Sequence, residues 1–179
     1  MNKKLILIFL MLTTLLSACS NFNEERTNEF QSLSQLQQAQ YWQARKVRIL
    51  TERLENMHVV VYHFGDEYQI LIPADFIFKG NTSQLAGSRD KLFKAIANLV
   101  NAQSTPAVNV LAYANNNASE QRNFSLTQNW AEAVVDQLRQ QGLSVSLVTA
   151  KGHGQCDNIG RSSSLINRIE IHYRISHEN

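Results

Sequence analysis

The sequence predicts an α/β sandwich: a mixed β-sheet with two helices packed on one face, preceded by a tether and an N-terminal helix. Three observations lead there. Two amphipathic stretches, residues 89–101 and a second ending near Gly142, carry apolar residues three or four apart, and each is followed by a β-rich run. A further β-rich region, residues 59–72, is broken by Gly65-Asp66, a turn pair between two runs, as in a hairpin. Gly and Pro are few, seven and two in the whole chain, and fall at the joints, so neither repeats nor disorder interrupts the pattern. The order is hairpin, helix, strand, helix, strand, strand. Strand–helix–strand successions favour right-handed crossovers, which place both helices on one face.

The chain opens Met1-Asn2-Lys3-Lys4, runs apolar from Leu5 to Leu16, and reaches Ser17-Ala18-Cys19. A positive segment, an apolar segment and small residues before a cut site are the order of an export signal. The run is too short to cross a hydrocarbon core of ~30 Å as a helix, so it is a targeting segment. Leu16-Ser17-Ala18-Cys19 resembles the bacterial lipobox. That resemblance implies cleavage before Cys19, a diacylglycerol thioether on its sulfur and an acylated amino group; the alternative is an ordinary secretory signal with an accidental cysteine. Each buried methylene contributes ~0.8 kcal/mol, so several acyl chains anchor stably where one is marginal. In lipoproteins an aspartate after the cysteine favours the inner membrane, so Ser20 implies an outer-membrane anchor with the domain in the periplasm. Apart from this covalent lipid, no cofactor and no metal is expected.

Cleavage removes Lys3 and Lys4 and takes the formal charge from +2 to 0. A neutral chain lacks the basic excess of a phosphate-backbone binder, which argues against nucleic acid as a partner. With Cys19 lipidated, Cys156 is the sole remaining thiol, so no intrachain disulfide can form; it is buried, free, or paired to another chain. His153 and Cys156 have a loose metal-like spacing, but two ligands in a Gly-rich loop do not make a site.

Segment by segment, residues 1–18 are the signal peptide and 19–30 the lipidated N-terminus and polar tether. Residues 31–57 form a Gln-rich helix, and 58–179 the folded domain. In the helix, Leu33, Leu36, Gln40, Gln43, Val47, Leu50, Leu54 and Met57 share one seam. It packs either on its own domain, where it is placed to cover the sheet face opposite the other helices, or on a partner. The hairpin pairs residues 59–64 with 67–72, before Pro73. Helix 89–101 turns Leu92, Phe93, Ile96, Leu99 and Val100 inward. Residues 108–113 are a buried strand. The second helix is capped by Ser125 or Thr127, carries Leu126, Trp130, Val134 and Leu138 on one face, and ends at Gly142, a C′ glycine. Strands at 143–150 and 165–175 flank a polar loop, 152–164.

From about Tyr68 to Ile175 the chain resembles the OmpA C-terminal (OmpA/MotB, peptidoglycan-associated) domain. Leu71-Ile72-Pro73-Ala74-Asp75-Phe76-Ile77-Phe78 resembles its entry strand and buried phenylalanine, with Phe78 in that place. The family pattern Gly-His-Thr-Asp, Gly, Tyr-Asn, Leu-Ser-x-x-Arg-Ala lies without a gap on residues 112–131. Asn115 takes the aspartate position, Ala118 the glycine, Arg122-Asn123 the Tyr-Asn pair, Leu126-Thr127 the Leu-Ser pair and Trp130-Ala131 the Arg-Ala pair. Gly152 and Gly154 resemble a Gly-x-Gly loop, and residues 167–171 the terminal Arg-Arg-Val-Glu-Ile strand. The resemblance implies that the aspartate and arginine positions hold the zwitterionic end of diaminopimelate in peptidoglycan. With Asn115, Asn123 and Trp130 at the pocket, that site is degenerate. Two lost charged partners cost roughly 1.5–3 kcal/mol each. Trp130 is either core or an exposed interface anchor, and Arg122 is placed to supply a cation from another angle.

A lipobox, a Gln-rich helix and a degenerate domain of this kind in so short a chain resemble lipoproteins of the Dot/Icm type IVB secretion systems. The implied role is an accessory, structural one in the outer-membrane core complex beside DotC, DotD and DotH, through protein–protein contacts. The alternative is a wall-binding lipoprotein that anchors the outer membrane to peptidoglycan. No nucleophile motif, phosphate loop or metal helix suggests an enzyme. The Cys19→Ser variant is expected to lose palmitate labelling and to accumulate as an unprocessed or soluble form in membrane fractionation; normal labelling would remove the lipoprotein reading.

Overall fold

The computed structural model describes residues 35–105, 107–116, 118–155 and 165–176. The expectations for the signal, Cys19, the tether, Leu33 and Cys156 lie outside these residues. The chain divides into two compact units, Met1–Arg45 and Lys46–Asn179. Of the first, residues 35–45 are described. They are the opening turns of helix α1 (Gln35–Glu55), where Tyr41 and Trp42 meet edge to face at 5.4 Å and the Arg45 guanidinium lies over the Trp42 ring.

The second unit continues with β1 (Val60–Phe64), β2 (Glu67–Pro73), a short α2 (Ala74–Ile77), α3 (Asp90–Asn101), β3 (Ala107–Tyr113), α4 (Glu120–Gln140), β4 (Leu147–Gly152) and β5 (Arg168–Arg174). The five strands form one mixed sheet in the order β1-β2-β5-β3-β4. β3 and β4 are parallel, joined by the crossover through α4; the other neighbours are antiparallel. Alternation along the strands sends Ile70, Ile72, Val108, Val110, Ile169 and Ile171 to one face, where all six are fully buried. Against them α3 lays Phe93, Ile96 and Leu99, and α4 lays Trp130, Val134 and Leu138. Each such side chain contributes ~1.5–3 kcal/mol by leaving water, which holds both helices to this face.

The Gln-rich helix does not cover the opposite face within this unit. Leu50 and Leu54 join the same core as α3 and α4, with Val47 and Met57 at its margin. The cause is the tight exit from α1: the Val59 N–H donates to the Leu54 carbonyl at 3.3 Å, and His58 adopts a φ of +63°. Leu36, on the same predicted seam, is exposed.

Several boundaries move from their predicted places. α4 begins at Glu120, because Ser119 is the cap: its hydroxyl accepts the Arg122 N–H. Ser125 and Thr127 lie inside the helix, each donating its hydroxyl to a carbonyl four residues back, Gln121 and Asn123. After Gly142, at φ +91°, residues 143–146 are not strand. Asn101 explains this, as its side chain bonds the Gly142 carbonyl and the Ser144 N–H and ties the segment to the end of α3. β4 therefore starts at Leu147, and β5 at Arg168.

The end of β4 is pressed onto α4. A Cβ on Gly152 would stand 2.3 Å from the Gln128 backbone nitrogen and 2.7 Å from its Cα, so only glycine allows the approach. Two bonds fix the contact: Gly152 N–H to Gln128 Oε1 at 2.8 Å, and Gly154 N–H to Thr127 Oγ1 at 2.9 Å. Gly152→Ala is expected to lower unfolding stability by about 3 kcal/mol or more in chemical denaturation. A loss under ~0.5 kcal/mol, ordinary for surface changes, would contradict this contact.

Candidate functional site

The residues that the sequence places at a ligand pocket lie where the C-terminal end of β3 meets the first half of α4. β3 leaves the sheet at Tyr113, and the next residues are held from both sides. The Ala114 N–H donates to the Gly154 carbonyl at 2.8 Å, and the Asn115 N–H to Asn167 Oδ1 at 2.8 Å. Asn167 also donates its side-chain amide to Asn116 Oδ1 at 2.7 Å, while its carbonyl accepts the Ala74 N–H at 2.9 Å. One asparagine thus joins the β3 exit, the start of α2 and the entry to β5. Asn123 is buried at 1 % exposure in α4, and its Oδ1 has no partner among the described residues.

Trp130 is core. Its indole is 1 % exposed, lies parallel to the Phe78 ring with centroids 5.3 Å apart, and donates Nε1–H to the Thr82 carbonyl at 2.7 Å. A buried tryptophan needs a partner for that N–H, and Thr82 supplies it. The carbonyl is presented by a tight turn after Phe78: Thr82 Oγ1 donates to the Lys79 carbonyl and accepts the Gln84 N–H, and Lys79 N–H donates to the Gln84 carbonyl. Of the two readings left open for Trp130, core or exposed interface anchor, the structure shows the first, with Phe78 as its stacking partner. Thr82 and Asn116 were not legible as site residues, since their roles rest on a main-chain carbonyl and on one partner amide.

The site positions Asn115, Asn123 and Trp130 carry no charge. Arg122 does not fill the gap: it is exposed in the first turn of α4, and eight residues from Trp130 means about 12 Å along the helix. The nearest buried cation belongs to the other face of the sheet. Arg168, 1 % exposed, donates Nε–H to Glu170 Oε1 at 2.6 Å and lies over the Tyr113 ring at 4.1 Å. Glu170 Oε2 accepts from Gln69 at 2.9 Å and faces His172 Nε2 at 2.9 Å. Burial alone would raise the Glu170 carboxyl. Hydrogen bonds from His172 and Arg168, with their charges, outweigh it and hold the group at about 2. His153, stacked on Tyr113 at 4.9 Å, is lowered by burial and then by Lys151.

Comparison with known proteins places this geometry. The OmpA family profile matches residues 77–171, more than half of the chain. The chain belongs to the OmpA family. Outer membrane protein A of Shimwellia blattae is 30% identical over 118 residues, 56% of this chain and 48% of that protein. The chain thus spans about half the length of this relative. A MotB-like protein from Desulfovibrio vulgaris superposes with a TM-score of 0.61 at 15% identity, over 78% of this chain and 96% of that one. The cell wall anchor of the type VI secretion system from Pseudomonas aeruginosa gives 0.59 at 19% identity, over 73% and 97%. At these identities the two structures establish the fold: a five-stranded mixed sheet with helices packed on it.

Two outcomes follow from the geometry. Trp130→Arg is expected to lower stability by at least ~3 kcal/mol, the range of buried tryptophan truncation, because it also buries a charge. Trp130→Phe should be milder, losing chiefly the bond to Thr82. An exposed-site tryptophan would show neither loss in denaturant unfolding. The Glu170 interactions contribute stability that is present above its ordinary value of 4.5 and lost as pH falls toward about 2. Acid unfolding of Glu170→Gln should lack that part of the pH dependence; an unchanged slope between those values would contradict the assignment.

Proposed function

We propose that this OmpA domain serves as a structural, protein-contacting module of an envelope complex. In this reading the mature chain is lipid-anchored at Cys19 in the outer membrane, with the domain in the periplasm. The finer assignment is an accessory component of a Dot/Icm type IVB secretion-system core, similar to DotK (IcmN), with DotC, DotD and DotH as its neighbours. That assignment rests on the lipobox, the Gln-rich helix and the degenerate domain taken together.

The single observation that carries the protein-contact reading is Trp130. Where the family arginine would meet a carboxylate, this chain has an indole stacked on Phe78 with its only donor spent on Thr82. Indole cannot make the bidentate, charge-assisted bonds of a guanidinium. At the aspartate position Asn115 offers dipoles but no charge for an ammonium group. The alternative, wall anchoring, is favoured by family membership and by the buried Oδ1 of Asn123, an acceptor with no partner among the described residues. Both readings are attachment roles and need no catalytic step.

A sacculus sedimentation assay separates them. The protein is expected to stay in the supernatant with purified peptidoglycan. Saturable retention, competed by diaminopimelate, would establish wall binding instead. In the Asn115→Asp/Trp130→Arg variant, provided it remains folded, retention should rise only when both changes are present, since one charge leaves the other end of the zwitterion unpaired.

A further inference from the structure

The two edges of the sheet are treated differently. At the β4 edge, Gln128 of α4 reaches over the strand: its side chain accepts from the Gly152 N–H at 2.8 Å and donates to the Ala150 carbonyl at 3.5 Å. Lys151 adds a charge to that strand. Both are ordinary ways of closing an edge. The β1 edge has neither. Its residues Val60-Val61-Tyr62-His63-Phe64 include no Lys, Asp, Glu or Pro, and among the described residues no side chain bonds its outer main-chain groups. Val60, Tyr62 and Phe64 are 37, 41 and 72 % exposed, and all three project on the sheet face away from α3 and α4.

We propose that the β1 edge pairs with the β1 edge of a second copy of this chain, making one continuous antiparallel sheet across a two-fold axis. The register argues for a copy rather than a foreign strand. The hairpin turn is two residues long, Gly65-Asp66, so the flanking pair Phe64–Glu67 is hydrogen-bonded and the pairs alternate from there. Val61 and His63 therefore turn their N–H and C=O groups to the open edge. Two antiparallel copies centred on Tyr62 set Val61 opposite His63 of the second copy, and the reverse, so every outward group meets a complement. The same register sets Tyr62 against Tyr62 and Val60 against Phe64, matching each exposed apolar residue with another across the axis. No like charges meet. So short a strand gives a small interface, in the range of weak encounters, so association requires chains held at high local density. A membrane tether would supply that density.

Cysteine cross-linking in the membranes of the producing cell tests this with the full chain, in a Cys156→Ser background. Opposed Tyr62 Cα atoms would lie about 4.5 Å apart in a non-hydrogen-bonded antiparallel pair, inside the disulfide range of about 4.4–6.8 Å. Under mild oxidation Tyr62→Cys is expected to give a dimer band several-fold stronger than Val60→Cys alone or Leu147→Cys at the opposite edge. Val60→Cys and Phe64→Cys produced together should cross-link as a mixed pair. Adding Val61→Pro to Tyr62→Cys should abolish the band, because proline removes an outward N–H and leaves the β1–β2 ladder intact; protease resistance reports that the chain stays folded. The proposal is overturned if Tyr62→Cys gives no dimer or links to a different protein. Cross-linking of equal strength in Val60→Cys alone, or bands that survive Val61→Pro, overturn it as well.

Discussion

The structure around α4 depends on where the Trp130 indole goes. It stacks on Phe78 at the end of α2, takes its hydrogen-bond acceptor from the turn at Thr82, and sits one helical turn from Val134 in the central core. The turn after Phe78 lies against the indole, and its Thr82 carbonyl is part of the core's hydrogen bonding. One uncharged side chain therefore sets both the chemistry at this position and the packing of the loop beside it.

Other residues hold the rest of the site in place. Gly152 and Gly154 bring the β4 end within backbone contact of α4, and Thr127 and Gln128 fix that approach from the helix side. Asn167 ties the β3 exit to α2 and β5. These bonds are made to main-chain groups, so they constrain the backbone irrespective of the ligand. This separation explains how the fold is held with no charge at Asn115, Asn123 or Trp130. The buried Arg168–Glu170 pair shows the same domain keeping charge where it serves packing: on the opposite sheet face, bonded and stacked rather than presented.

Much of the fold was legible in the sequence because it rests on periodicity. The alternation in β2, β3 and β5 and the spacing in α3 and α4 are direct consequences of which side chains leave water. The hairpin turn was readable from Gly65-Asp66. Boundaries set by single tertiary bonds were not readable: the Ser119 cap competes with equally plausible Ser125 and Thr127, and the delay of β4 to Leu147 depends on Asn101, far away in the chain. The Gln-rich seam predicted a buried stripe, yet which sheet face Leu50 and Leu54 would meet was decided by the His58 turn. At the site, the positions Asn115, Asn123 and Trp130 followed from the family pattern. The pattern left open whether the tryptophan was core or exposed, since a four-residue spacing fits both; Thr82 could not be anticipated, because a carbonyl leaves no mark on the residue type.

In the proposed function the indole of Trp130 stands where the family pattern has its arginine and is closed to ligand. The most direct test follows its Nε1–H resonance in the folded protein, assigned against Trp42 by substitution. Slow hydrogen exchange is expected, from burial and the bond to the Thr82 carbonyl, with no saturable shift on titration with diaminopimelate. Rapid exchange, or a saturable ligand-dependent shift, would contradict it and return this position to the pocket.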